Sequence, residues 1–367
     1  MRSISILRAL HLLGVVGAVA GLMLAAMPQA SAQKMFDNTK IRIATFPGTW
    51  EIRIREEVGP AMEKAGIEME FIGGNTESFL QKLVAARGQA IPFDVVEITD
   101  HVLDEFMRSN FLQKINLNNI PNKAKVQPEF VSDYKVGYWM HVAAIQYNAE
   151  KFKENGIPFP TKHSDLLHPK LKGHLGMPSP FSYNMISHIV SLAYENGGDE
   201  GNIEPGMKAL EAYVPQIHSW VGGTVMSQLM KAGDVWAAFG SGGGAIRLQT
   251  AGLPMAVTHV KVKNASGMPS VGYMGAVKGT KVAKAVDFFL NELVGQEMQE
   301  GMYLQSGLIP TNQEVLAKHW QAAPKGENGM TFNIMEPKKM ADFYFIDYSK
   351  INRAKWAKRL ARVQAIK

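Results

Sequence analysis

The sequence predicts an α/β fold built as two lobes, and three observations carry that expectation. Residues 40–107 alternate strand and helix patterns in the order β-α-β-α-β-α. That order calls for a mainly parallel sheet with crossover helices. The chain has 367 residues, too many for one small core. The stretch Asp234-Val-Trp-Ala-Ala-Phe-Gly-Ser-Gly-Gly-Gly-Ala-Ile-Arg-Leu-Gln249 reads as a buried strand, a glycine loop and the start of a helix.

The first 32 residues stand apart from the fold. Arg2 and Arg8 precede an apolar run from Leu12 to Ala26, and Ala30-Ser31-Ala32 is a small-x-small cleavage site. The segment reads as a secretory signal peptide cut after Ala32. Nothing after it approaches the apolar length of a membrane span. The chain has no cysteine, which excludes a lipoprotein anchor and disulfides. The expected location is the periplasm, as a free soluble protein. Arg2 and Arg8 supply two of the +6 net charges, so the remainder is only mildly basic. No Lys/Arg block of the nucleic-acid kind is present, and no nucleic-acid partner is expected.

Lys40 to Phe46 alternates as a first strand and runs into Pro47-Gly48. Glu51 to Ala65 has helical spacing, with Pro60 placed to kink or split it. Ile67 to Ile72 is the second strand, and Phe93 to Ile98 the third. Each is followed by a helical pattern. Val136 to Asn148 reads as a long strand with small residues mid-way. Pro178 to Asn184 is a loop rich in hydroxyls before a helix over Met185 to Tyr194. After the glycine stretch, Leu253 to Val262 and Val271 to Val277 read as strands. Helices follow over Val282–Leu293 and Gly295–Tyr303. Arg353 to Arg362 reads as a basic helix that buries Trp356, Leu360 and Val363.

In open parallel sheets, ligands bind at the carboxyl ends of the strands. The loops there include Thr45–Trp50 and Thr99–His101, which carry hydroxyls, an indole and backbone amides. Gly240, Gly242, Gly243 and Gly244 before a helix offer free N–H groups to a polar or anionic ligand. Ser241 and Arg247 stand within reach.

Six marks, taken in order, add a resemblance. They are Ile41–Trp50, Phe93-Asp-Val-Val with Thr99, and Tyr138–Asn148. The others are Asp165-Leu-Leu-His-Pro-Lys-Leu-Lys-Gly173, the Gly-Ser-Gly after Trp236–Phe239, and Gly307–Asn312. The chain resembles the bacterial extracellular solute-binding proteins of ABC transporters, in the group of spermidine/putrescine and ferric-iron binders. The resemblance covers nearly all of residues 40–315. It implies the type II periplasmic-binding-protein fold, with a solute cleft between lobes that close by a hinge. Crossings are expected near Ala143–Ile145 and Tyr273–Ala276. One lobe would hold residues 40–143 and 274–315, the other 146–271. The helices of 316–367 would pack on either. The resemblance also implies a monomer that passes a small solute to an ABC permease in the inner membrane.

Polyamine binders of that group place carboxylates in loops matching Ser179–Asn184 and Ser270–Gly272, where this chain has none. Asp100 is the nearest candidate, with Glu51. Ferric-iron relatives use adjacent tyrosines, and Tyr183 stands without one. What remains is a slot of hydroxyls, amides and aromatics, suited to an anionic or zwitterionic organic solute. The expected contacts are Thr45, Trp50, Thr99, Asp100, Tyr138, Ser179, Ser182, Tyr183, Ser241, Arg247 and Tyr273. A polyamine ligand and a solute receptor for signalling are the alternatives.

An enzyme is not expected. A nucleophile elbow needs glycine two residues before the serine, and Phe239 stands there. No Gly-Lys-Ser/Thr phosphate loop and no His-Glu-x-x-His occurs. His163, His168 and His174 lack metal spacing, so neither metal nor cofactor is expected. The 21 methionines are scattered and read as core filling.

Overall fold

The computed structural model describes residues 34–180, 182–322 and 332–366. The segment read as a signal peptide lies outside the described residues. The strands run β1 (Thr39–Thr45), β2 (Ile67–Gly73), β3 (Val95–Thr99), β4 (Val131–Ser132) and β5 (Lys135–Asn148). They continue as β6 (Leu175–Pro178), β7 (Ile217–Val221), β8 (Ala237–Ser241), β9 (Met255–His259), β10 (Pro269–Ala276) and β11 (Ile309–Pro310).

β1 pairs in parallel with β2 and β3, as the β-α-β order requires. β10 lies antiparallel between β3 and β5 and completes the first lobe's sheet. In the second lobe β5 lies between β8 and β9, and β6 joins β8 to β7 in parallel. One strand therefore serves both lobes. Val142 still faces Pro269 of the first lobe, while Ala143 faces Ser241 of the second. Each lobe has a core: Ile41, Ile54, Trp139 and Phe289 in the first, Phe152, Leu192, Phe239 and Trp356 in the second. Fully burying side chains of this size stabilises by about 2–3 kcal/mol each.

The second crossing lies earlier than the sequence suggests. Tyr273–Ala276 sits inside the first lobe's sheet, in register with Val95–Ile98 of β3. The chain changes lobes before Pro269, so residues 269–273 belong with the first lobe. The C-terminal part does not choose one lobe. Leu316, Ile334 and Met335 are in the first core, whereas Ile346, Trp356, Leu360 and Val363 are in the second.

Two local features follow from single residues. Pro60 has no N–H, and the helix around it splits into Thr49–Arg53, a π turn over Ile54–Val58, and Gly59–Ala65. The glycines after Phe239 are not a loop. Gly240 lies in β8, and Gly242 to Gly244 form the first turn of the helix Gly242–Thr250. Ser241 caps that helix by accepting from the Gly244 N–H at 3.3 Å.

Candidate solute cleft

The lobes meet face to face where β5 changes over. Tyr183 opens the helix Tyr183–Glu195 of the second lobe. Its ring lies 4.5 Å from His141 and 6.0 Å from Trp139, both on β5. Trp139 in turn packs 5.7 Å from Trp50, which leans on Phe46 at 5.4 Å. Arg247, from the second lobe, holds its guanidinium 6.0 Å from the Trp50 ring. Its Nη1 donates across the gap to the Ser306 carbonyl at 2.7 Å. No carboxylate stands within ion-pair distance of Arg247 among the described residues. The cation lies in a wall of rings without a counter-charge.

Several polar atoms in this zone are buried and lack a hydrogen-bond partner. They are Trp50 Nε1, both ring nitrogens of His141, Asn184 Oδ1 and Ser306 Oγ. Leaving such groups unpaired costs about 1–3 kcal/mol each, so a ligand that pairs them recovers that cost. Burial, with Arg247 nearby, brings His141 down to about 3, so its ring is neutral at physiological pH. Between His141, Gly242, Gly243 and Gly307 a cavity of about 20 Å³ remains.

Behind this wall sits a carboxylate that the sequence reading did not single out. Glu97 is fully buried at the centre of β3. Tyr138 Oη donates to Oε1 at 2.7 Å, and Trp139 Nε1 to the same oxygen at 2.8 Å. Thr45 Oγ1 and the Phe46 N–H donate to Oε2. Burial pushes Glu97 up to about 7, against the pull of these four donors. The hydroxyls of Thr45 and Tyr138 are thus committed to Glu97 and lie behind the cleft wall. The signal was a lone Glu in the fully buried strand Val95-Val-Glu-Ile-Thr99.

Thr99 and Asp100 lie at one end of the cleft. Thr99 Oγ1 is 2.9 Å from His101 Nδ1, and His101 Nε2 is 2.7 Å from Glu77 Oε1. Asp100 accepts from Ser270 Oγ at 2.6 Å, from the Val271 N–H at 3.0 Å and from the His101 N–H at 2.9 Å. Burial raises its carboxyl above the ordinary range. His101 links this end to the wall, with its ring 6.3 Å from Tyr183. Tyr273 lies apart from the wall, with the Lys135 ammonium 3.5 Å above its ring. Ser182 caps its helix on the Met185 N–H, and Ser179 sits at the end of β6 facing Gly222. Glu51 is taken by Arg55 at 2.8 Å.

The structure therefore gathers Trp50, Tyr183 and Arg247 into one wall and adds Trp139 and His141. Both lie on the β5 face that alternation assigns to residues 139 and 141. Among the described residues no group of three or more His, Asp or Glu side chains is placed to hold a metal. No helix among them is long and apolar enough to cross a membrane.

Residues 58–328 match the family described as bacterial extracellular solute-binding protein. The chain belongs to this family. Its members bind solutes and are not enzymes. A relative in Salmonella typhimurium, named spermidine/putrescine-binding periplasmic protein, is 24% identical over 217 residues. That match covers 57% of this chain and 61% of the relative. Solved structures share the fold. An ABC transporter substrate-binding protein from Bradyrhizobium japonicum has a TM-score of 0.68 at 20% identity, covering 89% of this chain and 99% of that one. The protein MotA from A. tumefaciens, in complex with glucopine, has a TM-score of 0.70 at 20% identity. That match covers 89% of this chain and 100% of MotA. A putative spermidine/putrescine ABC transporter protein from Listeria monocytogenes reaches 0.68 at 15% identity, covering 89% and 99%.

Proposed function

We propose that this solute-binding protein captures a small anionic or zwitterionic organic solute between its lobes and delivers it to an ABC permease from the periplasm. The observation that carries the solute class is Arg247. A guanidinium stays charged at any physiological pH. Arg247 is set among Trp50, Tyr183 and His141 with no carboxylate partner among the described residues, so an incoming carboxylate or phosphonate supplies the missing charge. The rings of Trp50, Trp139 and Tyr183 then hold the apolar body of the solute. Trp50, Tyr183 and Arg247 are the direct contacts in this reading. Asp100, Thr99, Ser179, Ser182 and Ser241 shape the rim, and Thr45 and Tyr138 support the first lobe's wall from behind.

A polyamine is the second reading, favoured by the Salmonella relative and by the carboxylate of Asp100 at the cleft end. Three donors of the chain already occupy that carboxylate, which weakens it as an ammonium site. Thermal shift and tryptophan fluorescence against polyamines, amino acids, carboxylates and phosphonates separate the two. Anions or zwitterions raise the melting temperature if the first reading holds. A response to polyamines alone overturns it.

A further inference from the structure

We propose that Tyr348 and Arg353, on a C-terminal strap, are positioning residues of the cleft that hold its Asp100–His101 rim against the second lobe. The proposal takes the cleft between the lobes as its frame and is independent of the solute.

The chain makes a third crossing after β5 and β10. Phe343 packs on the first lobe's core and bridges to Gly267, and the Tyr344 N–H donates to the Gly267 carbonyl at 3.0 Å. From there the strap belongs to the second lobe. Tyr344 Oη donates to Glu200 and lies 2.8 Å from Tyr194 Oη. Trp356 and Leu360 enter the second core, and Arg359 pairs with Glu204 at 2.9 Å and Glu211 at 2.6 Å.

Between these anchors the strap reaches back to the first lobe. The Tyr348 ring lies 6.3 Å from His101, as the Tyr183 ring does, and beside Asp100 and Ser270. Arg353 Nη1 donates to the His101 carbonyl at 2.9 Å, and its charge faces Glu77, the partner of His101. His101 thus touches both the strap and Tyr183. A hinge opening that separates the lobes must break the Arg353–His101 bond and part the Tyr348–His101 rings.

The test needs no solute. The chain has no cysteine, so Lys82→Cys and Lys231→Cys place one label on each lobe without background. Interlobe distances are measured by spin-label or fluorescence transfer on ligand-free protein. We expect a short distance in the parent. Arg353→Ala and Tyr348→Ala should raise the open-to-closed ratio about tenfold, with cooperative unfolding retained, and Arg353→Lys should restore the short distance. An unchanged distance in the double alanine variant overturns the proposal, as does a parent that is already open. A fall in melting temperature with the distance unchanged counts as the same refutation.

Discussion

Gly243 of the second lobe lies so close to the Gly307 carbonyl of the first that a Cβ added to it would stand 2.6 Å from the oxygen. Next to this contact, Arg247 reaches across to Ser306. The glycines after β8 therefore serve the approach of the lobes.

Gly243→Val should keep the lobes apart. Its side chain meets backbone, which cannot rotate away. Small-angle scattering is expected to show a larger radius of gyration than the parent, with folding intact. Gly223→Ala, where an added Cβ meets nothing within 4 Å, serves as the neutral control. An unchanged radius in Gly243→Val would show that the lobes are not in contact in solution.

Glu97 makes stability depend on pH. An acid whose folded pKa is raised to about 7 keeps its proton in the native state while the unfolded chain loses it. Its contribution is fully present below the ordinary Glu range and is lost as pH rises towards 7. The loss is about 3 kcal/mol. Glu97→Gln should flatten this slope, as measured by urea unfolding between pH 4.5 and 8, about the span of the shift. A variant with the parental slope would assign the dependence elsewhere.

His188 is expected to carry its proton on Nε2. His188 Nε2 faces the Gly240 carbonyl at 3.1 Å, so that nitrogen donates. His188 Nδ1 must then accept from His163 Nε2 at 2.9 Å. The other His163 nitrogen, Nδ1, meets Glu195 Oε1 at 2.6 Å. Nitrogen-15 shifts should show His188 protonated at Nε2 and bare at Nδ1. His188→Ala leaves His163 Nε2 and the Gly240 oxygen unpaired in the core and should cost about 2–3 kcal/mol. A His188 protonated at Nδ1 instead would contradict this arrangement.

Much of the fold was legible because its strands are half-buried or fully buried runs with clean boundaries. The alternation of Ile67 to Ile72 and the length of Val136 to Asn148 gave both elements directly. The glycine stretch misled because its conformation is helical, and the reason for small residues there lies in Gly307, 64 residues away in the chain. Pro60 announced a break but not a π turn. Trp50, Tyr183 and Arg247, picked from loop position and chemistry, lie together where the lobes meet. Trp139 and His141 were passed over because they sit inside a strand, where a ring reads as core. Tyr348 and Arg353 were beyond sequence reasoning, since only tertiary structure brings the strap to His101.

The most direct measurement is calorimetric titration of the protein and its Arg247→Ala variant with the solute found by thermal shift. The expected solute bears a carboxylate or phosphonate, and its affinity falls by about 100-fold, or roughly 3 kcal/mol, in the variant. Equal affinity in both proteins, or binding of polyamines alone, would contradict it.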